Sequence, residues 1–507
     1  MKTICQTNAR RKFDPDGQAC AFDTRAGTWA AAFFGLRVKP WGLYCGRMNA
    51  NARWFCWILP LGLLLLLCSC DLHQKLAQLH FNQGMKKLGA GDGAGALDDF
   101  SAAVAQDPQF AEAYLYRGIS YLSLSNFTTA LKDFDKATEL SPGDERAFLY
   151  SGMAELGLKD FNRAITNFNQ AIALEASKPD AFNYRGLARA NLRDWNGALD
   201  DFSRVIQLNP EEATAYRNRG GVEVPLKEYE KAVADAGKAI ELDGQDAASY
   251  RIRGHAKTAI RDFPGAAADY DRAIELAPGV AECYASRAAL KLRLDDFDGA
   301  GADLEKALQL NPKSALAVIG RGFLKEKRGD YTGALADFNQ AVELGPQFAE
   351  TYGSLGLLQY NLSQWDLALA NLRKAVQMNC TEDDVRFYIW FIESQSGKAE
   401  DANRELKSFF NSLQGEKATD WTASIAHFLV GDLPEDEFLK QATSKAKRPS
   451  AVKGQVCESF YYAGMKHKLA GDRAGAVALF QKCVDTKEDN SFAYISAEFE
   501  LRASKKP

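Results

Sequence analysis

The sequence predicts an all-α fold in which short helical hairpins stack into a right-handed α-solenoid. A block of 34 residues repeats nine times without a gap over residues 77–382. Positions 4, 8 and 11 of each block lie on one face of a first helix, and positions 20, 24 and 27 lie on one face of a second. A single hairpin cannot bury its own apolar stripe, whereas stacked hairpins bury a continuous core.

Small residues and prolines set the shape of each hairpin. Position 20 is alanine in all nine blocks, from Ala96 to Ala368. Position 8 is also small throughout: Gly84, Gly118, Gly152, Gly186, Gly220, Gly254, Ala288, Gly322 and Gly356. These residues predict two helix backbones in close approach. Six blocks have proline at position 32, two residues before the end of the block, and proline cannot continue the second helix.

These shared positions resemble those of the tetratricopeptide repeat (TPR) family. An aromatic residue is frequent at position 4, as in Tyr114 and Tyr250, and an aromatic or leucine usually occupies position 24. The resemblance covers residues 77–382. It implies a solenoid of helical hairpins whose concave side holds partner proteins, and it implies no reaction of its own.

Residues 48–69 have the pattern of a secretory signal. Arg53 supplies a positive charge, Phe55–Leu67 is a short apolar run, and Ser69 stands before a cleavage point. The last residues, Leu67–Cys70, resemble the lipobox of bacterial lipoproteins. This resemblance implies that Cys70 is lipidated and that the protein is anchored by lipid in the bacterial cell envelope, facing the periplasm.

Two alternatives to the lipoprotein signal stay open. Residues 54–70 are just long enough for an uncleaved membrane helix, and the signal could also be cut without lipidation. Residues 1–47 are expected either to precede the true start at Met48 or to be disordered. Asp71 resembles an inner-membrane retention signal, but the choice between inner and outer membrane stays unresolved.

Composition excludes several classes of function. The chain carries 62 Lys and Arg against 66 Asp and Glu, with no basic patch interleaved with aromatic residues, which argues against nucleic acid. The five histidines form no catalytic or metal-binding motif. We therefore expect no metal, no cofactor and no enzyme activity.

Four cysteines follow Cys70, without the CxxC spacing of a metal site: Cys283, Cys380, Cys457 and Cys483. Cys457 and Cys483 fall at neighbouring ends of the last predicted hairpin. Two buried thiols are the favoured interpretation. A disulfide is the alternative, because sequence alone does not give the required Cβ geometry.

The repeat pattern weakens after the array and then returns. The array domain spans residues 70–382, residues 383–456 read as degenerate helical repeats with a loop at 447–454, and residues 457–490 form a clean repeat. Residues 491–507 are predicted to form a capping helix. Within this tail, the strings at 421–431 and 458–464 resemble the C-terminal part of bacterial TPR lipoproteins, which implies an adaptor in the envelope.

Arginine at position 7 occurs together with aspartate at position 23 in six blocks. The pairs are Arg117 and Asp133, Arg185 and Asp201, Arg219 and Asp235, Arg253 and Asp269, Arg287 and Asp303, and Arg321 and Asp337. The blocks with asparagine at position 23 lack the arginine. We interpret this pattern as an ion pair between the two helices of a hairpin. Common ancestry of these blocks, without contact, is the alternative.

Positions 2, 5, 9, 12 and 13 of a first helix, here called the groove face, are expected to line the concave side. This face is apolar in the first blocks and basic further along. The candidate partner-binding residues are Phe81, Met85, Leu115, Ile119, Leu149, Met153, Arg217, Arg251 and His255. A helix or peptide of a partner protein is the expected occupant. Self-association as a homodimer, or cover by the chain itself, such as the segment Leu72–Leu79, stays open.

Together these patterns predict a non-enzymatic scaffold or adaptor that binds other envelope proteins, either enzymes or assembly factors. A pilotin-like or outer-membrane assembly factor is an alternative of the same kind. A helical-repeat enzyme subunit is an alternative of a different class. It would need converging polar groups outside the repeat positions, and the sequence has none.

The fifth block, residues 213–246, departs most from the repeat. Ala236 replaces the aromatic, Pro225 lies near the end of the first helix, and Gly244 replaces the closing proline. A lost core aromatic costs on the order of 3–5 kcal/mol in a rigid site. We expect local opening here, measured as faster amide hydrogen exchange in this block than in its neighbours.

Overall fold

The structure, a computed structural model, describes residues 71–505 apart from 347, 379, 381–383, 414–419, 447–448 and 489–490. This described part consists of 25 helices and contains no strand. None of its helices is both long and apolar enough to cross a membrane. The predicted extension, signal and Cys70 lie outside the described residues. The chain divides into two compact units, Met1–Gly244 and Gln245–Pro507.

The first unit contains five described hairpins, one for each of the first five blocks. Their helices are α1 (residues 71–89), α2 (Gly93–Gln106), α3 (Ala111–Ser123), α4 (Phe127–Leu140), α5 (Glu145–Leu158), α6 (Phe161–Leu174), α7 (Pro179–Asn191), α8 (Trp195–Leu208), α9 (Ala213–Glu223) and α10 (Tyr229–Leu242). From α2 to α9 each helix packs against the one before it and the one after it, and the first helices of adjacent hairpins also touch.

The second unit contains the last four hairpins of the array and seven further helices. The hairpins are formed by α11 (Ala247–Ala259), α12 (Phe263–Leu276), α13 (Ala281–Arg293), α14 (Phe297–Leu310), α15 (Ala315–Lys327), α16 (Tyr331–Leu344), α17 (Ala349–Asn361) and α18 (Trp365–Gln377). The others are α19 (Asp384–Gln395), α20 (Ala399–Asn411), α21 (Trp421–Leu429), α22 (Glu435–Ser444), α23 (Pro449–Leu469), α24 (Arg473–Asp485) and α25 (Phe492–Ser504). The predicted all-α class, built from consecutive packed hairpins, is confirmed within the described residues.

A glycine of the first helix lies directly against an aromatic ring of the second helix in most hairpins. A Cβ placed on Gly118 would come within 2.5 Å of the Phe134 ring, and at five other position-8 glycines the distance is 2.5–2.8 Å. The alanines at position 20 are fully buried in all nine hairpins. The two helices therefore approach to a distance that only small residues permit, which explains why those positions do not vary.

The turn within each hairpin is built the same way along the array. The residue at position 15 is left-handed, and only Gly91 and Gly329 are glycine; the others are Ser125, Lys159, Arg193, Lys227, Arg261, Asp295 and Ser363. The next residue caps the second helix through its side chain in seven hairpins. Glu228 of the fifth block and Gln364 of the ninth make no such bond. A missing cap typically costs about 1 kcal/mol.

The helices after the array enclose an aromatic core in the second unit. Phe387, Phe391, Tyr461 and Tyr462 are almost completely buried there. The predicted loop at 447–454 is wrong for residues 449–454, because α23 already begins at Pro449. Proline is tolerated in the first turn of a helix, where its missing N–H has no intrahelical acceptor, so it starts the helix here instead of preventing it.

We predict that Gly118→Ala lowers the free energy of unfolding by about 1–3 kcal/mol, because the new methyl group overlaps the Phe134 ring. Gly220→Ala in the fifth hairpin is the matched control. Its Cβ would meet no atom closer than 3.4 Å, since Ala236 replaces the ring, and alanine favours a helix by about 1 kcal/mol over glycine. Urea unfolding midpoints measure both. Equal losses would contradict the role assigned to the ring.

Candidate functional site

In each of the six hairpins with arginine at position 7, the guanidinium donates to both oxygens of the position-23 carboxylate. The donor–acceptor distances are 2.5–3.2 Å. The six aspartates are buried, with side chains at most 11% exposed. Such forked contacts hold a planar guanidinium in one orientation, so each pair fixes how its two helices align.

The arginines also reach beyond their own hairpin. Arg185 donates to Asn169 of the preceding hairpin at 2.6 Å, and Arg287 donates to Asp271 at 2.7 Å. Four of the guanidiniums further lie over the aromatic ring at position 4, with 5.4–5.8 Å between the guanidinium carbon and the ring centre. Each arginine therefore connects both helices of its hairpin, and three of them also bond to the hairpin before, since Arg219 donates to Ser203 at 3.3 Å.

A second cation at position 11 completes the cluster, and sequence reasoning missed it. Lys257, Lys291 and Lys325 each lie 2.8 Å from the aspartate that the arginine also binds. Arg189 contacts Asp201 and Lys87 contacts Asp99 at the same distance. A basic residue at position 11 accompanies aspartate at position 23 in these five blocks, and this joint occurrence is the signal that could have revealed it.

Blocks with asparagine at position 23 keep a polar contact between the two helices without a cation. Asn167 donates its amide to Glu155 at 2.8 Å, and Asn371 donates to Gln359 at 2.8 Å. Both acceptors stand at position 11 of their own blocks. In seven of the nine blocks the residue at position 11 is therefore matched to the one at position 23, so that a buried carboxylate faces a cation and a buried amide faces an acceptor; the second block has Tyr121 at position 11.

The fifth hairpin breaks this match. Glu223 occupies position 11 although position 23 is Asp235, so two carboxylates share the site with a single Arg219. Glu223 is 4% exposed, and its Oε2 has no hydrogen-bond partner among the described residues. Burial, and secondarily the charge of Asp235, raises the pKa of Glu223 from 4.5 to about 7. In the seventh block, by contrast, burial works to raise the pKa of Asp303, but Arg287 and Lys291 hold it below its ordinary value.

The apolar part of the groove face is open in some places and buried in others. Phe81 is 8% exposed, and its ring packs against Phe100 and Phe110. Leu115 is 1% exposed. The other four predicted contact residues are half-buried and border the hairpin cores: Met85, Ile119, Leu149 and Met153. These four are therefore the predicted apolar contact residues that a partner could touch in the first unit, one or two in each of three consecutive hairpins.

The segment Leu72–Leu79 does not cover that surface. It is the first part of the continuous helix α1, and Leu72 and Leu79 are both more than half exposed. A straight helix cannot fold back onto its own side. Cover of the apolar end by this segment is therefore excluded.

The basic part of the groove face differs from the expectation at His255. This residue lies beside Ser286, with 3.0 Å between Nε2 and Oγ, and edge-on to the Tyr270 ring. Burial and the nearby charge of Arg251 lower the pKa of His255 to about 4, so it is neutral at pH 7. Arg251 is half-buried and has no hydrogen bond or ion pair with any described residue. In the first unit, Arg217 donates to Asn218.

The chain's own tail covers the groove face of the ninth hairpin. Tyr360 and Asn361, at positions 12 and 13 of this block, contact α23 and α25. The Tyr360 hydroxyl donates to the Met465 sulfur at 3.7 Å and accepts from Tyr461 at 3.4 Å, and Ser496 donates to Asn361 at 2.8 Å. Intramolecular cover, one of the alternatives that the sequence left open, therefore exists at this end of the array.

Metal-binding clusters are absent from the described part of the chain, where no three metal-ligating side chains come together. Apart from Glu223, the cations and carboxylates described above bond to one another within the hairpins.

Comparisons with known proteins identify the repeat. Family models described as tetratricopeptide repeat match residues 81–145, 185–249 and 281–314, and one described as TPR repeat matches residues 325–363. The chain therefore contains tetratricopeptide repeats. Proteins of this class are generally protein-interaction scaffolds.

Solved structures with similar architecture include three bacterial proteins. A tetratricopeptide repeat protein from Parabacteroides merdae is 18% identical, covers 46% of this chain and 93% of its own, and has a TM-score of 0.43. The pilF protein of Pseudomonas aeruginosa is 20% identical, with coverages of 41% and 94% and a TM-score of 0.36. MamA of Desulfovibrio magneticus is 22% identical, with coverages of 34% and 96% and a TM-score of 0.32. No curated protein matches the chain.

We predict that Arg117→Leu lowers the free energy of unfolding by about 3 kcal/mol, because it leaves the buried Asp133 without a cation. The double variant Arg117→Leu/Asp133→Leu should cost less than the single one. Arg253→Leu should be milder than Arg117→Leu, since Lys257 still lies 2.8 Å from Asp269. Additive costs in the double-mutant cycle would show that the first pair is not energetically coupled.

We predict that the fifth hairpin loses stability as the pH rises from about 4.5 to about 7. The raised pKa means that the folded state binds the Glu223 proton more tightly than the unfolded state, so its contribution is complete below pH 4.5 and lost above 7. The loss amounts to at most about 3 kcal/mol. Glu223→Gln should flatten this pH dependence, measured by hydrogen exchange of α9 and α10. Glu230→Gln, at an exposed site of the same hairpin, should leave it unchanged.

Proposed function

We propose that this protein is a lipid-anchored scaffold of the bacterial cell envelope, which holds a partner protein against the groove face of its first three hairpins. The observation that carries the proposal is the row of half-buried apolar side chains on that face: Met85, Ile119, Leu149 and Met153. Apolar side chains from successive hairpins suit the apolar stripe of an amphipathic helix, whose contact residues recur every three or four positions.

The contrast with the ninth hairpin supports this assignment. There the groove face carries Leu357 and Tyr360, and both are almost completely buried, Tyr360 in contact with the chain's own tail. The comparable residues of the first three hairpins have no such segment over them among the described residues. We infer that a partner segment takes, at the apolar end, the place that the tail takes at the other end.

The proposed anchor would place this surface close to the membrane. Described helix begins at residue 71, immediately after Cys70, so no flexible spacer separates the expected lipid from α1. A lipid at Cys70 would then restrict the first hairpins to the region near the bilayer surface, where envelope proteins are concentrated.

Cell fractionation of Cys70→Ser, with intact-mass analysis of the purified chain, tests the anchor. We expect the wild type in the membrane fraction, with a mass that starts at residue 70 and carries added acyl groups. The variant should leave the membrane fraction. Membrane retention of the variant together with an uncut N-terminus would reject the lipoprotein and leave the uncleaved helix.

Cross-linking and affinity capture of Met85→Asp/Ile119→Asp test the groove. We expect the captured partner to be reduced at least tenfold, since two charges would be buried in an apolar contact. The control is Leu124→Asp/Leu158→Asp, which makes the same chemical change at two leucines that are about half exposed at hairpin turns. Thermal melts of both variants show whether they are folded, and Met153→Lys provides a milder second change to the groove.

Three outcomes are distinguishable. Loss of the partner in the groove variants alone supports the proposal. Conversion of a wild-type dimer to a monomer by light scattering would assign the face to self-association and overturn partner binding. Unchanged capture in folded groove variants would also overturn it.

A further inference from the structure

Two cysteines meet inside the last hairpin of the second unit. Cys457 lies on α23 and Cys483 near the end of α24, and both are 0% exposed. Their Sγ atoms are 2.9 Å apart. Atoms as large as carbon normally rest roughly 3.5–4.0 Å apart without a bond, so these two sulfurs are closer than an ordinary packing contact.

The two positions are the ones at which hairpins of this chain bring small residues together. Residues 457 and 483 stand at positions 1 and 27 of their repeat. In the nine blocks of the array, position 1 is alanine in seven and position 27 is alanine in eight. In the seventh block these alanines are Ala281 and Ala307, which share one core cluster. The last hairpin therefore has two cysteines at positions where the seventh block has two alanines of one core cluster.

This substitution suits a disulfide. A disulfide needs Cβ atoms only about 3.5–4.5 Å apart, a separation typical of neighbouring alanine-sized residues between helices. A second contact holds the same ends of the two helices, because Lys453 donates to the carbonyl of Lys487 at 2.7 Å. Neither sulfur would have to move far for the bond to form.

The contact between the two sulfurs shifts their pKa values in opposite directions. The hydrogen bond with Cys483 lowers the pKa of Cys457, against the opposing effect of burial, while the same contact raises the pKa of Cys483. While the two sulfurs are in contact, Cys457 is therefore the thiol that loses its proton more easily. Cys283, by contrast, is buried in another hairpin, and burial raises its pKa.

We propose that Cys457 and Cys483 form an intramolecular disulfide that fastens α23 to α24. The two thiols give up two protons and two electrons to a disulfide oxidant such as oxidised glutathione, which leaves as two thiols after a mixed disulfide. Because both sulfurs are buried, the bond forms during folding or when the hairpin opens. This proposal is independent of the scaffold function and of the lipid anchor.

The bond would act on the cover of the ninth hairpin. Tyr461 stands one helical turn after Cys457 and donates to Tyr360 on the groove face. Met465, one turn after Tyr461, accepts a hydrogen bond from Tyr360. A disulfide at Cys457, one turn before these contacts begin, would hold α23 in the position from which it covers α17.

The test uses the full chain, purified and refolded in a buffer of oxidised and reduced glutathione. Free thiols are blocked in denaturant, and peptides are mapped by mass spectrometry without reduction. We expect a cross-linked peptide pair containing Cys457 and Cys483, with Cys283 alkylated as the internal control. Reduction should lower the melting temperature of the second unit on the order of 5 °C, as expected for a closed loop of this length.

The matched control is Cys457→Ala/Cys483→Ala, which restores the residues that the array uses at these positions. Its melting temperature should not respond to reductant. Alkylation of both cysteines in the refolded wild type, with no cross-linked peptide, would overturn the proposal. The peptide map decides even if the double variant fails to fold, because it is made on the wild-type chain.

Discussion

The contact between a glycine and an aromatic ring governs the rest of this structure. In hairpin after hairpin the ring at position 24 rests on the bare backbone at position 8, at a distance that leaves no room for a side chain. The alanines at position 20 are fully buried beside this contact. The close approach of the two helices also brings positions 7, 11 and 23 together, and it therefore sets which polar side chains meet.

The polar residues that meet the side chain at position 23 differ between hairpins, but in most hairpins they are chemically complementary to it. A buried aspartate is met by arginine, in most cases with a second cation, and a buried asparagine is met by glutamate or glutamine. Buried ion pairs of this kind contribute more to the choice of partner than to net stability, since desolvation offsets much of the attraction. We interpret the matched residues as a device that keeps each second helix paired with its own first helix in a chain of near-identical repeats.

The fifth hairpin departs from each of these rules at once. It lacks the ring, the side-chain cap and the second cation, and it carries Glu223 where a cation is expected. The division between the two compact units falls at Gly244, at the end of this block. This hairpin has fewer interactions that oppose local opening than its neighbours have. We therefore expect the least stable hairpin to lie at the boundary between the two units.

The exposure of the groove face changes along the array, although the 34-residue repeat is constant. Its first three hairpins present half-buried apolar side chains, whereas the ninth is closed by helices that come from the end of the same chain. This difference supports the proposal that the first three hairpins are available to a partner, whereas the ninth hairpin is covered by the tail. Sealing the last hairpin also covers the core that a solenoid otherwise leaves open.

The sequence by itself determined the helical hairpins, their number in the array and the residues at each close approach, because a 34-residue period constrains local spacing and turn chemistry. The correlation between Arg117 or Arg253 and its aspartate was likewise visible without coordinates, since covarying positions recur within one chain. Only the tertiary structure decided that Lys257 joins the same carboxylate, that His255 is buried and neutral, and that Phe81 and Leu115 belong to the core. It alone placed α23 and α25 on the ninth hairpin, and it alone gave the 2.9 Å separation of the Cys457 and Cys483 sulfurs. The cover of the ninth hairpin joins segments whose spacing follows no period, and the burial of a side chain depends on all of its neighbours, so the repeat pattern alone does not encode them.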